Sequence, residues 1–192
     1  MDHVHPMPFS PPSRATSGPY PMGLLALVAT VAMLFAAFTA ALLIRRAGSD
    51  WVVVSLPPIV GANTLVLVIS SAAVEMARRA VRGDQATLAA GWLLGALVLG
   101  VMFLTGQLAA WWSLVQAGVF LPSSPHASFF YMLSAVHGAH VVGGLGALLW
   151  VFRRTRAGAY AAGADGGLTH AAVFWHFMGL IWVYLLALLT LA

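Results

Sequence analysis

The sequence has no cysteine and no lysine, and charged residues make up only 7% of its 192 positions. Without cysteine, the chain cannot form disulfides, iron–sulfur clusters or thiolate metal sites. Soluble domains carry about 25% charged residues, so this chain has too few to cover a surface that faces water. Its pI near 10.4 comes from nine arginines. These flank apolar segments, so membrane topology explains them and no nucleic-acid partner is expected.

In place of charge, the chain has long apolar segments. Hydrophobic residues make up 61% of it, and its mean hydropathy is +0.91. Because about 20 such residues cross a bilayer as a helix, the sequence predicts an all-α, polytopic membrane protein. A single bundle of five antiparallel helices would occupy residues 22–192, after a flexible, proline-rich tail at residues 1–21. The predicted spans are about 22–44, 57–77, 88–112, 128–152 and 170–191.

The arginines distinguish the two sides of the membrane. The N-terminal tail and the loops after the second and fourth spans would share one side, which then holds seven of the nine arginines. The opposite side holds only Arg45 and Arg46. Since cytoplasmic loops carry the excess of positive charge, this count predicts a cytoplasmic N-terminus and a periplasmic or extracellular C-terminus.

Polar and small residues interrupt the predicted spans. With no water in the hydrocarbon layer, the polar groups must bond to neighbouring helices, backbone or lipid headgroups. Gly91 and Gly95 form a GxxxG pair, which indicates close helix packing. The candidates for packing or helix interfaces are Asn63, Ser70, Ser71, Gln107 and Gly143.

Glu75 is the only acidic residue inside a predicted span. Arg78 and Arg79 follow it by three and four residues, so all three share one helix face. We expect an ion pair at the cytoplasmic end of the second span rather than a proton relay, because no further titratable groups continue across the membrane.

Three histidines lie inside the last two spans. His137 and His140 share one face of the fourth span, and His176 lies in the fifth. Imidazole binds iron and copper well, so His137 or His140 could hold a haem together with His176. Hydrogen bonding between helices is the other interpretation, and it is favoured because no thiolate or methionine cluster accompanies these histidines.

Four segments, in this order, resemble the subunit III family of the haem–copper oxidases. Residues 129–144 read FFYMLSAVHGAHVVGG and are similar to that family's aromatic segment with two histidines. Residues 172–184 contain the FWHF run of its last helix, and residues 63–71 fit its NT…SS helix. Residues 103–112 place a glutamine before a tryptophan pair. The resemblance covers about residues 22–192.

The resemblance implies an accessory subunit of a terminal oxidase of the cytochrome c oxidase type, in its short bacterial form. Such a subunit lies in the cytoplasmic membrane, is inactive alone, and has no catalytic, metal or cofactor site of its own. Subunit I of such complexes holds the haems and copper, and subunit II often receives electrons. Subunit III packs beside subunit I and binds phospholipid in a cleft. By this resemblance, the candidates for the cleft or its supporting bonds are His137, His140, Trp175 and His176.

The chain departs from the family at three positions where acidic residues are common. Val31, Ala110 and Gly179 stand there instead. Proton-linked roles of those carboxylates are therefore not carried over, and a related subunit of a quinol oxidase or nitric-oxide reductase stays open. The alternatives from other classes are a histidine-ligated membrane b-type cytochrome and a stand-alone transporter. The transporter is disfavoured because the spans lack midplane charges and broken-helix repeats.

Overall fold

The computed structural model describes residues 22–158 and 166–191, so the predicted tail at residues 1–21 lies outside the described residues. The described chain contains five α-helices, and each is long and apolar enough to cross a membrane. Each helix extends beyond its predicted span at one end or both. The helices are α1 (Met22–Arg46), α2 (Ile59–Arg82), α3 (Ala86–Gln116), α4 (Pro125–Arg156) and α5 (Gly166–Leu191).

Proline and serine set where two of the helices begin. Pro57 and Pro58 immediately precede α2, where proline fits because the first turn has no partner for its missing N–H. α4 begins after Ser124, whose hydroxyl accepts a hydrogen bond from the Ala127 N–H at 3.1 Å. Pro125 follows that cap in the first helical position. These residues fix the start of α4 although its apolar run begins later.

Residues in the left-handed conformation terminate three helices. Gly118 follows α3 with φ of 74°, and Gly158 follows α4 with φ of 69°. After α2 the same conformation falls on Asp84, a side chain that tolerates it. Backbone N–H groups then turn back to the last carbonyls, as from Val119 to Leu114 at 2.9 Å. The helix ends are therefore closed by their own backbone.

Four of the helices form a ring. α2 packs on α3 over the most extensive contact, α3 packs on α4, α4 on α5, and α5 closes onto α2. α1 packs against α4 and α5 and lies outside this ring. Its buried side chains are Val31, Phe35 and Leu42, which occupy one face. One stripe of buried side chains thus holds α1 against α4 and α5.

The surface of the bundle is apolar. Leu94, Val98 and Met102 of α3 are each exposed over about half of their area, at 50–52%. A surface of this kind is solvated by hydrocarbon and not by water. Together with the helix lengths, it makes the chain a multi-pass membrane protein.

An ion pair marks the segment between α1 and α2. Arg45 at the end of α1 donates to both carboxylate oxygens of Asp50. This hydrogen bonding lowers the pKa of the Asp50 carboxyl from its usual value. Both side chains are exposed, so the pair contributes little to stability.

Trp175 locks three helices together in the centre of the bundle. It is 1% exposed on α5 and fills the space above two glycines. A Cβ added at Gly100 of α3 would lie 2.8 Å from Trp175 Cη2, and one added at Gly144 of α4 would lie 3.0 Å from Trp175 Cε3. By contrast, nothing lies within 4 Å of a Cβ added at Gly91 or Gly95. The GxxxG pair therefore makes no close helix contact within the described chain.

We expect Gly100→Val to lower the free energy of unfolding by about 1–3 kcal/mol, because its side chain would overpack the Trp175 site. Gly91→Val is the matched control, since it makes the same change on the same helix in open space. Thermal unfolding of both purified variants in detergent measures the difference. Equal midpoints for the two variants would contradict the packing role of Trp175.

Candidate functional site

His137 lies at the centre of the bundle, enclosed by aromatic rings. It is fully buried on α4. The Trp182 ring of α5 stacks on it with centroids 5.2 Å apart and an interplanar angle of 30°. Phe103 of α3 and Phe35 of α1 meet it edge-on at 5.9 and 6.4 Å. Helices α1, α3 and α5 therefore all converge on this one side chain of α4.

Polar side chains of α2 hold two of these rings in place. Trp182 Nε1–H donates to Thr64 Oγ1 at 2.9 Å. Asn63 Nδ2 donates to the Phe103 carbonyl at 2.9 Å. Gly106 makes room for that amide, because a Cβ there would lie 2.9 Å from Asn63 Cγ. α2 thus joins the cluster through hydrogen bonds rather than through a ring.

Further bonds join α3 to its neighbours on both sides. Ser70 of α2 donates to the Ala96 carbonyl at 3.0 Å, and both residues are buried. Trp111 Nε1–H donates to Ser134 Oγ of α4 at 3.0 Å. Each of these polar groups finds its partner on an adjacent helix, as the absence of water requires.

Three buried side chains of the core do not follow this pattern. One is Trp175, whose indole Nε1–H has no hydrogen-bond partner among the described residues, and the others are His137 and Gln107. Neither ring nitrogen of His137 and neither amide atom of Gln107 has a hydrogen-bond partner among the described residues. On α3, Gln107 lies one turn after Phe103, which contacts His137, and one turn before Trp111. Gln107 therefore lies on the stripe of α3 that carries both of these contacts with α4.

His140 lies at a separate cleft between α1, α4 and α5. Its Nδ1–H donates to the Val136 carbonyl at 2.7 Å, and its ring packs against Phe35 at 5.9 Å. The cleft has a volume of about 540 Å³. Apart from His140 and His170, its lining is apolar or small, with Gly143, Phe174 and Trp150 among its residues. Gly143, predicted as a packing residue, leaves open space here, with nothing within 4 Å of a Cβ at its position.

The four residues grouped as candidates for the lipid cleft lie in different surroundings. Among the described residues, His140 alone of them lines the α1–α4–α5 cleft. His137 and Trp175 are buried in the core. His176 lines a groove between α2 and α5, which also contains Ser71. Spacing along the sequence gave no information on this separation, since it depends on how the helices rotate.

The described structure does not bring the candidate haem ligands into one pocket. His137 is enclosed by three rings, His140 lines the α1–α4–α5 cleft, and His176 lines the groove between α2 and α5. Across residues 22–158 and 166–191, no group of three or more histidine, cysteine, aspartate or glutamate residues could hold a metal ion.

Glu75, Arg78 and Arg79 interact within α2 as an ion-paired cluster. Arg78 Nη1 lies 2.9 Å from Glu75 Oε2, and Arg79 Nε lies 3.5 Å from Glu75 Oε1. Glu75 and Arg78 are partly buried, at 31% and 18% exposure, whereas Arg79 is exposed at 67%. The Nε of Arg78 is buried and has no partner among the described residues.

His126 is a structural residue that the sequence analysis did not single out. It is fully buried in the first turn of α4, with Trp51 edge-on at 5.5 Å. Its Nδ1 accepts from the Val54 N–H at 3.2 Å, so its Nε2 carries the proton and donates to the Leu189 carbonyl at 2.9 Å. This imidazole ties the α1–α2 segment to the end of α5. Only its position beside a helix start could have suggested that role.

The comparison with protein families identifies the architecture that these contacts build. The family model of cytochrome c oxidase subunit III matches residues 21–191. The chain belongs to the cytochrome c oxidase subunit III family. This confirms the predicted resemblance to subunit III of the haem–copper oxidases, and the alternative classes are not favoured.

Relatives of the subunit III family occur in several bacterial groups. The chain is 32% identical to a probable cytochrome c oxidase subunit 3 of Mycobacterium leprae, over 73% of this chain and 70% of that protein. It is 31% identical to a cytochrome c oxidase subunit 3 of Synechocystis, over 87% and 72%. A cytochrome c oxidase subunit 3 of Thermostichus vulcanus is also 31% identical, over 88% and 85%.

The three positions that lack the acid common in subunit III differ in their surroundings. Val31 and Ala110 are buried, at 3% and 0% exposure. Gly179 borders the α2–α5 groove, and a Cβ at its position would lie 3.4 Å from Ser71 Oγ. Two of the three positions are therefore apolar and packed in the core, and the third is a glycine that borders a groove.

We expect Gln107→Met to raise the free energy of unfolding by about 1–3 kcal/mol, because it replaces a buried amide that has no partner with an apolar side chain of similar shape. Asn63→Leu is the control and should lower it, since that amide donates to Phe103. Thermal unfolding in detergent distinguishes the two. If Gln107→Met is destabilising, the amide is satisfied in the native protein.

Proposed function

We propose that this chain is the accessory subunit III of a haem–copper terminal oxidase in a bacterial cytoplasmic membrane. It contributes no redox centre, since subunit I of the same complex holds the haems and copper and subunit II receives electrons. The observation that carries the proposal is the family match over residues 21–191, which includes all five helices. Its role is to support subunit I through packing and bound lipid, and it is inactive alone.

The proposed orientation places the N-terminus in the cytoplasm. The beginning of α1 and the ends of α2 and α4 lie on one side of an antiparallel bundle. That side holds Arg78, Arg79 and Arg82 at the end of α2, and a second basic cluster at the end of α4. The excess of arginine supports its assignment to the cytoplasmic face.

We further propose that the α1–α4–α5 cleft holds a phospholipid. The cleft is lined at this arginine-rich end by Leu24 of α1, Trp150 of α4 and His170 of α5. Arg154 lies over the Trp150 ring, with its guanidinium carbon 5.0 Å from the ring centroid. Acyl chains would pack on the apolar walls, and the phosphate would meet Arg154 and His170 at the mouth. The single stripe of α1 contacts leaves space for such a wedge.

Purification of the native complex through a tag on this chain tests the function. We expect a haem-bearing subunit to co-purify, with the haem spectrum present in the complex and absent from the isolated chain. Haem retained by the isolated chain and lost in His176→Ala would instead support a b-type cytochrome. Purification without any haem-bearing partner would also contradict the proposal.

A second experiment tests the lipid. Gly143→Leu should fill the cleft, displace phospholipid from the purified complex, and shorten the turnover lifetime of the oxidase. Gly146→Leu is the matched control on the same helix, because Gly146 also has nothing within 4 Å and does not line the cleft. Native mass spectrometry counts the bound phospholipid. Equal lipid content in the two variants would contradict the assignment of the cleft.

A further inference from the structure

A second opening lies on the membrane face between α2 and α5, away from the lipid cleft. It has a volume of about 290 Å³, just below the roughly 300–1,000 Å³ typical of small-molecule pockets. Leu67, Val68, Leu180 and Val183 give it apolar walls. We refer to it as the α2–α5 groove.

Two hydrogen-bonding side chains face this groove without a partner. Neither the hydroxyl of Ser71 nor the imidazole of His176 makes a hydrogen bond to any residue that the structure describes. Gly179 lies beside them and presents no side chain, so the space above Ser71 stays open. A histidine and a serine left unpaired against hydrocarbon are costly, and such groups mark places where a partner is supplied.

The level of the groove within the membrane indicates which kind of partner can bind there. Ser71 lies at the middle of α2 (Ile59–Arg82), and Gly179 lies at the middle of α5 (Gly166–Leu191). A bilayer with a hydrocarbon core of about 30 Å places phospholipid headgroups about 15 Å from this level. A phospholipid bound here would therefore present only acyl chain to Ser71. A side chain of a transmembrane helix, in contrast, can place a polar atom at mid-membrane.

We propose that a transmembrane helix of the haem-bearing partner subunit docks along the α2–α5 groove. This helix inserts a hydrogen-bonding side chain beside Ser71 at the middle of α2, in the groove that His176 also lines. The proposal rests on the proposed function, because it requires the chain to be part of an oxidase complex. It assigns the face of the bundle that the partner covers.

Photo-crosslinking in native membranes tests the docking directly. A photoreactive amino acid at Val183, in the wall of the groove, should form an adduct with the haem-bearing subunit. The matched control is Val98 on α3, which is about as exposed, at 52% against 47%, and lies outside the groove. A protein adduct from Val98 and none from Val183 would overturn the proposal. So would adducts from Val183 that contain only lipid.

Filling the groove gives an independent readout. Gly179→Leu should reduce co-purification of the haem-bearing subunit at least tenfold, while Gly61→Leu, in open space on α2, should not. Loss of the partner in both variants, or in neither, would contradict the proposal. The wild-type chain separates the two levels of inference. If it retains no haem-bearing partner, the proposed function fails. If it retains the partner and Val183 gives no protein adduct, only the docking face is wrong.

Discussion

The fold depends on the need to satisfy polar groups where there is no water. Trp182 shows how the bundle meets this constraint, because its ring stacks on His137 while its N–H donates to Thr64. One side chain of α5 thereby fixes the position of α4 against α2. Phe103 acts in the same way, with its ring on His137 and its carbonyl bonded to Asn63. Because hydrocarbon offers little hydrophobic driving force between helices, such paired contacts determine which faces meet.

The helices and the family were predictable because each has a signal within a short stretch of sequence. Apolar runs of membrane length are rare outside membranes, and the family prediction, now confirmed, depended on four motifs in a fixed order. The helix ends were less predictable. The cap at Ser124 and the left-handed Gly118 and Gly158 set helix ends that lie beyond the apolar windows, and a hydropathy average does not detect such residues.

Contacts between helices could not be predicted, because spacing along one helix does not say which neighbour a face meets. Gly91 and Gly95 match the GxxxG motif but face open space, whereas Gly100 and Gly144 belong to no GxxxG pair and contact Trp175. Similarly, His137 and His140 share a stripe on α4, yet one is enclosed by rings and the other lines a cleft. Helix rotation, set by the whole core, decides between these outcomes.

The two openings of the bundle differ in depth, and depth determines the chemistry that each can accept. The α1–α4–α5 cleft reaches the arginine-rich end, where a phosphate can lie among cationic groups while its acyl chains stay in hydrocarbon. The α2–α5 groove presents the Ser71 hydroxyl at the middle of α2, where another protein segment supplies a polar atom more readily than a phospholipid does. α1 borders the first opening but not the second. A lipid bound beside α1 can therefore shift the position of α1 without disturbing the face where, by our proposal, the partner subunit docks.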